Sequence, residues 1–345
     1  MDNEYIEVLE ALLQENEKLN NQVAQLTATN NEICKTISEL ANHVFGLETD
    51  NINNKLELKR LINRVENMPY EVRDHRADSN YAIPKIMAEE ATIDEIVNNR
   101  KSIARFGDGE FGLMFGNARW RFQGNNELLA KRLREVVTSK DNNIIIGLNN
   151  FYGDLSHRTP KDADGIRTYI TPTVRAEHMS LLDTERVYGH ACISRNTDWE
   201  HVKMQRRLWD NKECVFIEGE ETRMGVGNDL FNNAASIERI LCPSENAFDV
   251  YDDILAEALK LSKSKTILIA LGPTASVLAY DLAKAGYHAI DIGHADLSYE
   301  WLVRNNGEKT AVATKYNNEY EGGYQVENIV DHDYEAQIIA RVTGR

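Results

Sequence analysis

The amino-acid sequence predicts an α/β domain, a mostly parallel sheet with helices on both faces, preceded by a long N-terminal coiled-coil helix. Three patterns support this prediction. Apolar residues repeat in heptads over the first 66 residues. Further along, short apolar runs alternate with segments of helical periodicity, an order typical of parallel sheets. Several of these runs end in turns that contain glycine, and ligands of such sheets bind at strand ends.

The first 66 residues contain no proline and one glycine, and their apolar residues follow a heptad. Leucine dominates the d positions, which are Tyr5, Leu12, Leu19, Leu26, Ile33, Leu40, Leu47, Asn54 and Leu61. The a positions mix apolar residues with three asparagines and are Leu9, Asn16, Val23, Asn30, Ile37, Val44, Asn51, Leu58 and Val65. This pattern favours a two-stranded parallel coiled coil whose asparagines fix the register. We expect a homodimer, with a trimer or a single helix packed on the body as alternatives.

The end of this helix is predicted at Met68-Pro69, because proline disfavours helical geometry in the residue before it. Residues 67–82 are polar, lack periodicity and are interpreted as a linker. The body then spans residues 83–330, and residues 331–345 form a polar C-terminal tail without a decisive pattern.

Within the body, strand-like and helix-like segments alternate. Thr92 and Glu95 make a capping-box pattern that predicts the start of a short helix. Apolar runs predict strands at residues 102–106, 143–148, 213–217, 237–242, 266–271 and 287–292. Periodicity and capping signals predict helices at residues 125–138, 173–182, 198–209 and 246–261, and from the turn after residue 272 to about residue 285. The last two strands and the helix between them form a βαβ unit.

The composition narrows the classes of function. A formal net charge of −16 argues against a broad nucleic-acid surface and against a basic face that binds membranes. No apolar stretch is long enough to cross a bilayer, and the acidic N-terminus lacks an apolar signal core. Cys34, Cys192, Cys214 and Cys242 show neither zinc-ligand nor redox-motif spacing, which fits a reducing compartment. We therefore expect a cytoplasmic protein with no transmembrane segment and no nucleic-acid partner.

The turn Gly107-Asp108-Gly109-Glu110-Phe111 follows the first long strand of the body. Gly107 and Gly109 let the backbone bend and let a ligand come close to it. Asp108 and Glu110 place two carboxylates where they can converge on one point. Hard divalent cations take oxygen ligands and often keep positions open for substrate phosphates. The turn therefore predicts a metal–diphosphate site, with a solvated acidic turn as the alternative.

A second candidate turn, Gly272-Pro273-Thr274, opens a helix after the clearest strand of the chain. Its free N–H groups and the Thr274 hydroxyl can hold a phosphate, although a plain strand-to-helix turn is the alternative. Asp291 ends the next strand about twenty residues on, the spacing of a ribose-binding acid in dinucleotide folds. The glycine fingerprint of those folds is absent at this turn, which counts against a nicotinamide enzyme.

His294 lies just beyond that strand and can ligate a metal or take a proton. Asp296 and Glu300 are nearby carboxylates that could serve the same ends. Three arginines stand at strand ends or in a glycine-rich loop, where a guanidinium can bind phosphate in a fork. They are Arg105, Arg195 and Arg223. Each of these side chains could instead be an ordinary solvated or hydrogen-bonded group.

Five strings in this order resemble the GT-D type glycosyltransferases, first catalogued as the bacterial domain of unknown function DUF1792. The strings are Arg105-Phe106-Gly107-Asp108-Gly109-Glu110-Phe111, Gly225-Val226-Gly227-Asn228-Asp229-Leu230, Arg239-Ile240-Leu241-Cys242-Pro243, Leu271-Gly272-Pro273-Thr274-Ala275 and Asp291-Ile292-Gly293-His294. The resemblance covers residues 83–320 and leaves out the heptad segment.

The resemblance implies a Rossmann-like GT-D type domain that moves a sugar from a nucleotide donor, typically UDP-glucose or a related UDP-hexose. It implies that Asp108 and Glu110 hold Mn²⁺ or Mg²⁺, with His294 as a third ligand or as a group behind the ligands. The acceptor would be a glycan or glycoprotein of the bacterial surface, modified in the cytoplasm.

If the chain uses such a donor, we expect a set of groups to bind its phosphates or its nucleoside. They are Arg105, Gly107, Gly109, Arg223, Gly272, Pro273, Thr274 and Asp291. If the reaction inverts the anomeric centre, Asp296 or Glu300 would be the base.

Two other functions stay open at this point. One is a nucleotide- or dinucleotide-binding Rossmann enzyme of another class, supported by the βαβ unit and Asp291. The other is a catalytically silent scaffold held together by its coiled coil, and the intact pair Asp108 and Glu110 counts against it.

Overall fold

The computed structural model describes residues 2–72, 82–117, 123–195, 198–317, 319–320 and 322–343. Two compact units make up the chain, Met1–Glu66 and Asn67–Arg345. Residues 2–66 of the first unit lie within a single helix, α1 (Asp2–Val72), so the predicted long N-terminal helix is confirmed. No helix of the described residues is both long enough and apolar enough to span a bilayer.

The heptad positions of α1 are open to solvent in the single chain. Residues 10–62 are all exposed. Leu12 and Leu40, both at d positions, are each 59% exposed, and Leu26 is 70% exposed. Burying such leucines against another helix would remove apolar surface from water, the main driving force of coiled-coil assembly.

The predicted helix end at Met68-Pro69 is wrong, because α1 continues to Val72 with Pro69 inside it. A proline costs the helix one hydrogen bond, and contacts within the second unit compensate for this loss. Arg167 forms a forked pair with Glu71, at 2.8 Å to each carboxylate oxygen. Arg175 stacks on the Tyr70 ring, 3.8 Å from its centroid. Of the predicted linker, residues 67–72 are therefore helical, and residues 73–81 lie outside the described part of the chain.

Among the described residues of the second unit, nine parallel strands form one sheet, which confirms the predicted parallel sheet and adds three strands to the six predicted. The strands are β1 (Lys85–Ile86), β2 (Ser102–Phe106), β3 (Ile144–Leu148), β4 (Val187–His190), β5 (Glu213–Gly219), β6 (Ser236–Cys242), β7 (Thr266–Ala270), β8 (His288–Asp291) and β9 (Ile338–Arg341). Their order across the sheet is β1-β4-β3-β2-β8-β7-β5-β6-β9. The segment predicted as a polar tail therefore contributes β9, which pairs with β6.

Ten helices follow α1 in the described residues. They are α2 (Glu89–Asn98), α3 (Asp108–Met114), α4 (Glu127–Thr138), α5 (Pro160–Tyr169), α6 (Pro172–Met179), α7 (Trp199–Arg206), α8 (Tyr251–Ala258), α9 (Pro273–Lys284), α10 (Ala295–Asn305) and α11 (His332–Gln337). The capping box predicted at Thr92 is wrong, since α2 begins at Glu89. The Thr92 hydroxyl instead donates to Ala88 O at 3.0 Å and accepts from His190 N at 2.9 Å.

Alternate residues of the central strands enter two apolar clusters, one on each face of the sheet. In β2, Ala104 and Phe106 belong to the cluster that includes the buried face of α9, and Ile103 belongs to the cluster that includes Ile93 and Ile96 of α2. Period-two alternation sends neighbouring side chains to opposite faces. Helices therefore cover both faces, which confirms the predicted doubly covered sheet.

The chain reverses its direction across the sheet between β2 and β8. From β2 it proceeds to β3 on one side, and it reaches β8 from β7 on the other. Connections that run to opposite sides leave a crevice at the carboxyl ends of the two strands, and ligands of open α/β sheets bind there. The Asp-x-Glu turn after β2 and the turn at Gly293 after β8 both lie at this crevice.

Candidate active site

A cavity of about 490 Å³ opens at the carboxyl ends of β2, β7 and β8. Residues from all three strand ends line it, as do residues of α5, α6 and the loop around Tyr316. Ten of the thirteen residues predicted for the site are on its wall. They are Arg105, Gly107, Asp108, Gly109, Glu110, Gly272, Pro273, Asp291, His294 and Asp296. The structure therefore brings most of the predicted residues together at one cavity.

Arg105 and Asp291 clamp β2 to β8 at the floor of the cavity. The Arg105 side chain donates through Nη2 to Asp291 Oδ1 at 2.9 Å and through Nε to Asp291 O at 2.8 Å. Its Nη1 donates to Ala191 O at 3.1 Å and to the hydroxyl of Ser194. Ser276 of α9 completes the clamp with a bond to Arg105 O at 2.8 Å. Most donors of this guanidinium are used within the protein, so its main effect is to fix the two strand ends.

The Asp-x-Glu turn forms the first turn of α3. Gly107 is the N-cap residue, and its N–H donates to Glu110 Oε2 at 2.8 Å. Asp108, by contrast, is exposed at the mouth of the cavity. Burial raises the pKa of Glu110 to about 7, and the negative charges of Asp291 and Asp108 add to this effect. A cation among these carboxylates would relieve the repulsion, so the residues present fit a hard divalent metal ion.

His294 and Glu319 form a second polar pair on the cavity wall. His294 Nδ1 lies 2.7 Å from Glu319 Oε1, and Arg195 Nη2 lies 3.0 Å from the same oxygen. Burial lowers the pKa of His294, and the nearby Arg195 and Arg105 charges act in the same direction. Burial alone would raise the pKa of Glu319, but its bonds to His294 and Arg195 hold it far below its ordinary value. A neutral imidazole oriented by a carboxylate is the usual arrangement of a metal-ligating histidine.

The two predicted base residues are held in a buried network around Lys315. Its Nζ lies 2.5 Å from Asp296 Oδ2 and 3.2 Å from Glu300 Oε1. Asn228 Nδ2 donates to both carboxylates, at 2.8 and 2.7 Å. Burial alone would raise the pKa of Glu300, yet the Lys315 charge and these bonds hold it below its ordinary value. Glu300 is not on the cavity wall, so its predicted role as a base lacks geometric support. Asp296 borders the cavity but is bound to Lys315 and to Gly225 N.

Two further predicted phosphate ligands do not border the cavity. The Arg223 guanidinium donates to Thr314 O at 2.8 Å and to Glu327 O at 2.7 Å, and the backbone of Arg223 is left-handed (φ 49°). Its predicted contact with the donor is therefore not supported by the geometry. Thr274 is fully buried, and its hydroxyl has no partner among the described residues. Gly272 and Pro273 do reach the cavity and begin α9 there.

Many residues of the cavity wall were missed by sequence reasoning, and three of them carry polar groups close to the predicted site. Glu319 and Tyr316 lie in an irregular segment after α10, where no periodicity marks them. Asn149 directly follows β3 and lines the cavity, and its position after an apolar strand was the one available signal. Trp120, a conceivable acceptor residue by its aromatic ring, lies outside the described residues.

Comparison with known proteins defines the class to which this fold and site belong. The family described as glycosyltransferase GT-D fold matches residues 103–320. The chain therefore belongs to this family, and the resemblance found in the sequence is confirmed.

Two streptococcal proteins are similar to the chain. Glycosyltransferase GlyD of Streptococcus pneumoniae serotype 4 is 31% identical over 273 residues, which are 75% of this chain and 33% of that protein. The probable glycosyl transferase Gly of Streptococcus gordonii is 33% identical over 266 residues, which are 74% of this chain and 39% of that protein. The chain thus spans between a third and two fifths of the length of these relatives.

Solved structures of the family share the fold. A DUF1792 domain described as having a distinct glycosyltransferase fold superposes with a TM-score of 0.69 at 34% identity, covering 76% of this chain and 96% of that one. A glycosyltransferase (DUF1792) from Streptococcus sanguinis gives a TM-score of 0.69 at 31% identity, covering 75% of this chain and all of that one.

Proposed function

We propose that the chain transfers a hexose, in the first instance glucose, from a UDP-sugar donor to a glycan acceptor with the help of Mn²⁺ or Mg²⁺. One observation carries the proposal. The Asp-x-Glu turn after β2 and the Gly272-Pro273 start of α9 line the same cavity at the crevice of the sheet. The first supplies carboxylates and the second supplies the positive end of a helix, which are the two groups that a metal-bound diphosphate needs.

Asp108 and Glu110 would hold the metal ion, and His294 would be a further ligand or would stand behind them. When bound, the ion would stabilise negative charge as it grows on the diphosphate leaving group. Glu319 orients His294 through their 2.7 Å contact and keeps its proton on Nδ1. Arg105 and Asp291 hold β2 and β8 together, so the carboxylates stay at a fixed distance from the start of α9.

The start of α9 would receive the phosphates. The first N–H groups of a helix have no partner within the helix, and they lie at the positive end of its dipole. Gly272 has a φ of 53°, a conformation that favours glycine, and this turn brings the backbone of α9 to the cavity wall. Arg195, which also borders the cavity, adds a positive charge to the wall beside Glu319.

The relatives and α1 support two further proposals, on the acceptor and on the assembly state. We propose a surface glycoprotein or related glycan as the acceptor, modified in the cytoplasm, because similar streptococcal proteins are named glycosyltransferases. We also propose a homodimer through α1, since its apolar heptad positions are exposed in the single chain.

The test is UDP release from UDP-glucose and other UDP-hexoses, with and without Mn²⁺. Wild type should release UDP only with the metal, and Asp108→Ala should release almost none. Asp252→Ala, an exposed aspartate at the start of α8, is the matched control and should behave as wild type. Equal Mn²⁺-dependent release by Asp108→Ala would refute the metal site. Absence of both turnover and a thermal shift with UDP would refute the donor class.

A further inference from the structure

Three different metal-binding groups meet outside the catalytic cavity. A carboxylate oxygen of Glu89, an imidazole nitrogen of His190 and the sulfur of Cys192 all lie within 4.8 Å of one another. They come from three places in the fold: the start of α2, the end of β4 and the 3₁₀ turn Ala191–Ser194. None of the three is among the residues that line the cavity. The fold therefore assembles a cluster that no spacing in the sequence revealed.

Backbone contacts hold this cluster in place without a ligand. The His190 N–H donates to Thr92 Oγ1 at 2.9 Å, which ties the end of β4 to the first turn of α2. The Cys192 N–H donates to His190 Nδ1 at 3.2 Å, which fixes the imidazole against the following turn. A site whose ligands are positioned by secondary structure loses little entropy on binding an ion.

We propose that Glu89, His190 and Cys192 form a second metal site that takes Zn²⁺. Thiolate, imidazole and carboxylate together are typical zinc ligands, whereas Mn²⁺ and Mg²⁺ prefer the all-oxygen donors of the Asp-x-Glu turn. Tetrahedral bonds of about 2.0–2.3 Å place donor atoms about 3.3–3.8 Å apart, a modest contraction of the observed cluster. With three protein ligands, the fourth position of the zinc ion is taken by water.

His201 supplies the outer partner that such a site needs. Its Nδ1 lies 3.0 Å from Glu89 Oε2, while His190 Nδ1 lies 3.4 Å from Glu89 Oε1. Glu89 is thus oriented by a second imidazole from α7. His201 is buried, and its Nε2 has no hydrogen-bond partner among the residues that the structure describes. Outer partners of this kind orient the ligand and raise metal affinity.

Zinc must displace the thiol proton of Cys192. In the structure Cys192 Sγ donates to Asn149 Oδ1 at 3.3 Å. Burial raises the pKa of the Cys192 thiol, as does the Glu89 charge, whereas Arg195 and Arg158 act in the opposite direction. A bound zinc ion would deprotonate the thiol outright. Two anionic ligands, Glu89 and Cys192, then neutralise the charge of the ion.

The competing explanation is a hydrogen-bonded cluster that never binds metal, and cobalt substitution separates the two. Full-length protein is stripped with a chelator, titrated with CoCl₂ alone and followed by absorption spectroscopy. Wild type should show thiolate-to-cobalt charge-transfer bands together with intense tetrahedral d–d bands. Cys192→Ser should lose the charge-transfer bands, and Cys34→Ser, an exposed cysteine of α1, should keep them. Absence of the bands in wild type, or their survival in Cys192→Ser, would overturn the proposal.

The zinc affinity of selected variants distinguishes the proposed site from the Asp-x-Glu turn. Competition with a chromogenic chelator should show about one tightly bound Zn²⁺ per chain in wild type and in Asp108→Ala. His201→Ala should weaken binding by about 10–100-fold, and Cys192→Ser by more than that. Melting curves in EDTA show whether each variant is folded without metal. A variant that is not folded is replaced in the zinc titration by Glu89→Gln. Zinc lost in Asp108→Ala but kept in Cys192→Ser would refute the site.

Discussion

The Arg105 guanidinium occupies the space where a side chain on Gly293 would begin. A Cβ built on Gly293 would overlap Arg105 Nη2. Gly293 also has a φ of 47°, a conformation that side chains disfavour. The clamp between β2 and β8 therefore depends on a glycine beside His294.

Gly293→Ala should lower the free energy of unfolding by more than about 1 kcal/mol, because strain and a displaced Arg105 add together. It should also reduce UDP release, since Arg105 holds both strand ends of the site. Urea denaturation measures the first effect. The control is Gly165→Ala in α5, where the new methyl meets no atom within 4 Å and should stabilise the helix by about 0.5–1 kcal/mol. Equal stability of Gly293→Ala and wild type would contradict the clamp.

Glu319→Gln should weaken the proposed metal-dependent reaction. The amide removes the negative charge that faces His294 and Arg195, so the imidazole loses its fixed orientation. Loss of such a partner typically costs about 10–100-fold in metal affinity or activity. The measurement is the Mn²⁺ concentration at half-maximal UDP release, with the exposed Glu308→Gln as control. An unchanged Mn²⁺ requirement in Glu319→Gln would show that His294 does not contribute to metal binding.

His178 should make the protein less stable as the pH falls from about 6.5 to 4. Burial lowers its pKa to about 4, and the Arg175 charge adds to this effect. The ring stacks on Phe111 at 3.7 Å, and Nδ1 lies 2.8 Å from the Tyr152 hydroxyl. Between these pH values His178 is protonated in the unfolded chain but not in the native state. The free energy of unfolding therefore falls toward acid pH by at most about 3 kcal/mol.

Denaturation of wild type and His178→Gln at pH 7 and pH 4.5 tests this expectation. The variant should be less stable at pH 7, because it loses the stacking on Phe111. Its further loss between the two pH values should be smaller than that of wild type, since it has no proton to bind at this position. Equal losses in both proteins would show that His178 does not set the acid sensitivity.

The strands that sequence reasoning found are those that carry long apolar runs, such as Thr266–Ala270. β1 has two residues, β4 includes glycine and histidine, and β9 lies at the edge with alternating exposure. Such short strands form because they pair with neighbouring strands of the sheet, and the local sequence pattern carries no information on this pairing.

Residues of the candidate site could be predicted where they follow a strand with a clear apolar run, as for Asp108 and His294. Residues that reach the site from a long, irregular connection could not be predicted. Glu319 reaches His294 across 25 residues of chain, and the Arg223 guanidinium is bound to Thr314 O and Glu327 O away from the cavity. The Glu89 and Cys192 groups meet in the same way, since α2 and β4 are distant in sequence but packed in space.

A buried ion pair beneath the glycine-rich loop should be far more important for stability than surface pairs. Arg239 and Glu218 are 3% and 0% exposed, and Glu218 Oε2 also accepts the Met224 N–H at 2.7 Å. Glu218→Gln leaves a buried guanidinium without its counter-charge, which typically costs about 3–5 kcal/mol. Glu200→Gln removes the exposed partner of Lys203 and should leave the free energy of unfolding nearly unchanged. Similar effects of the two substitutions in urea denaturation would refute this assignment.

Substitutions on α1 test whether its heptad seam joins two chains. Leu26→Lys with Leu40→Lys places two charges at d positions and should convert the proposed dimer to monomer, because the seam can no longer be buried. Phe45→Lys with Ile52→Lys is the matched control, since both side chains are exposed, 72% and 59%, but lie off the seam. Light scattering on full-length protein gives the mass directly. A dimer that survives the first pair, or a monomeric wild type, would contradict assembly through the seam, and a mass of three chains would identify the trimer.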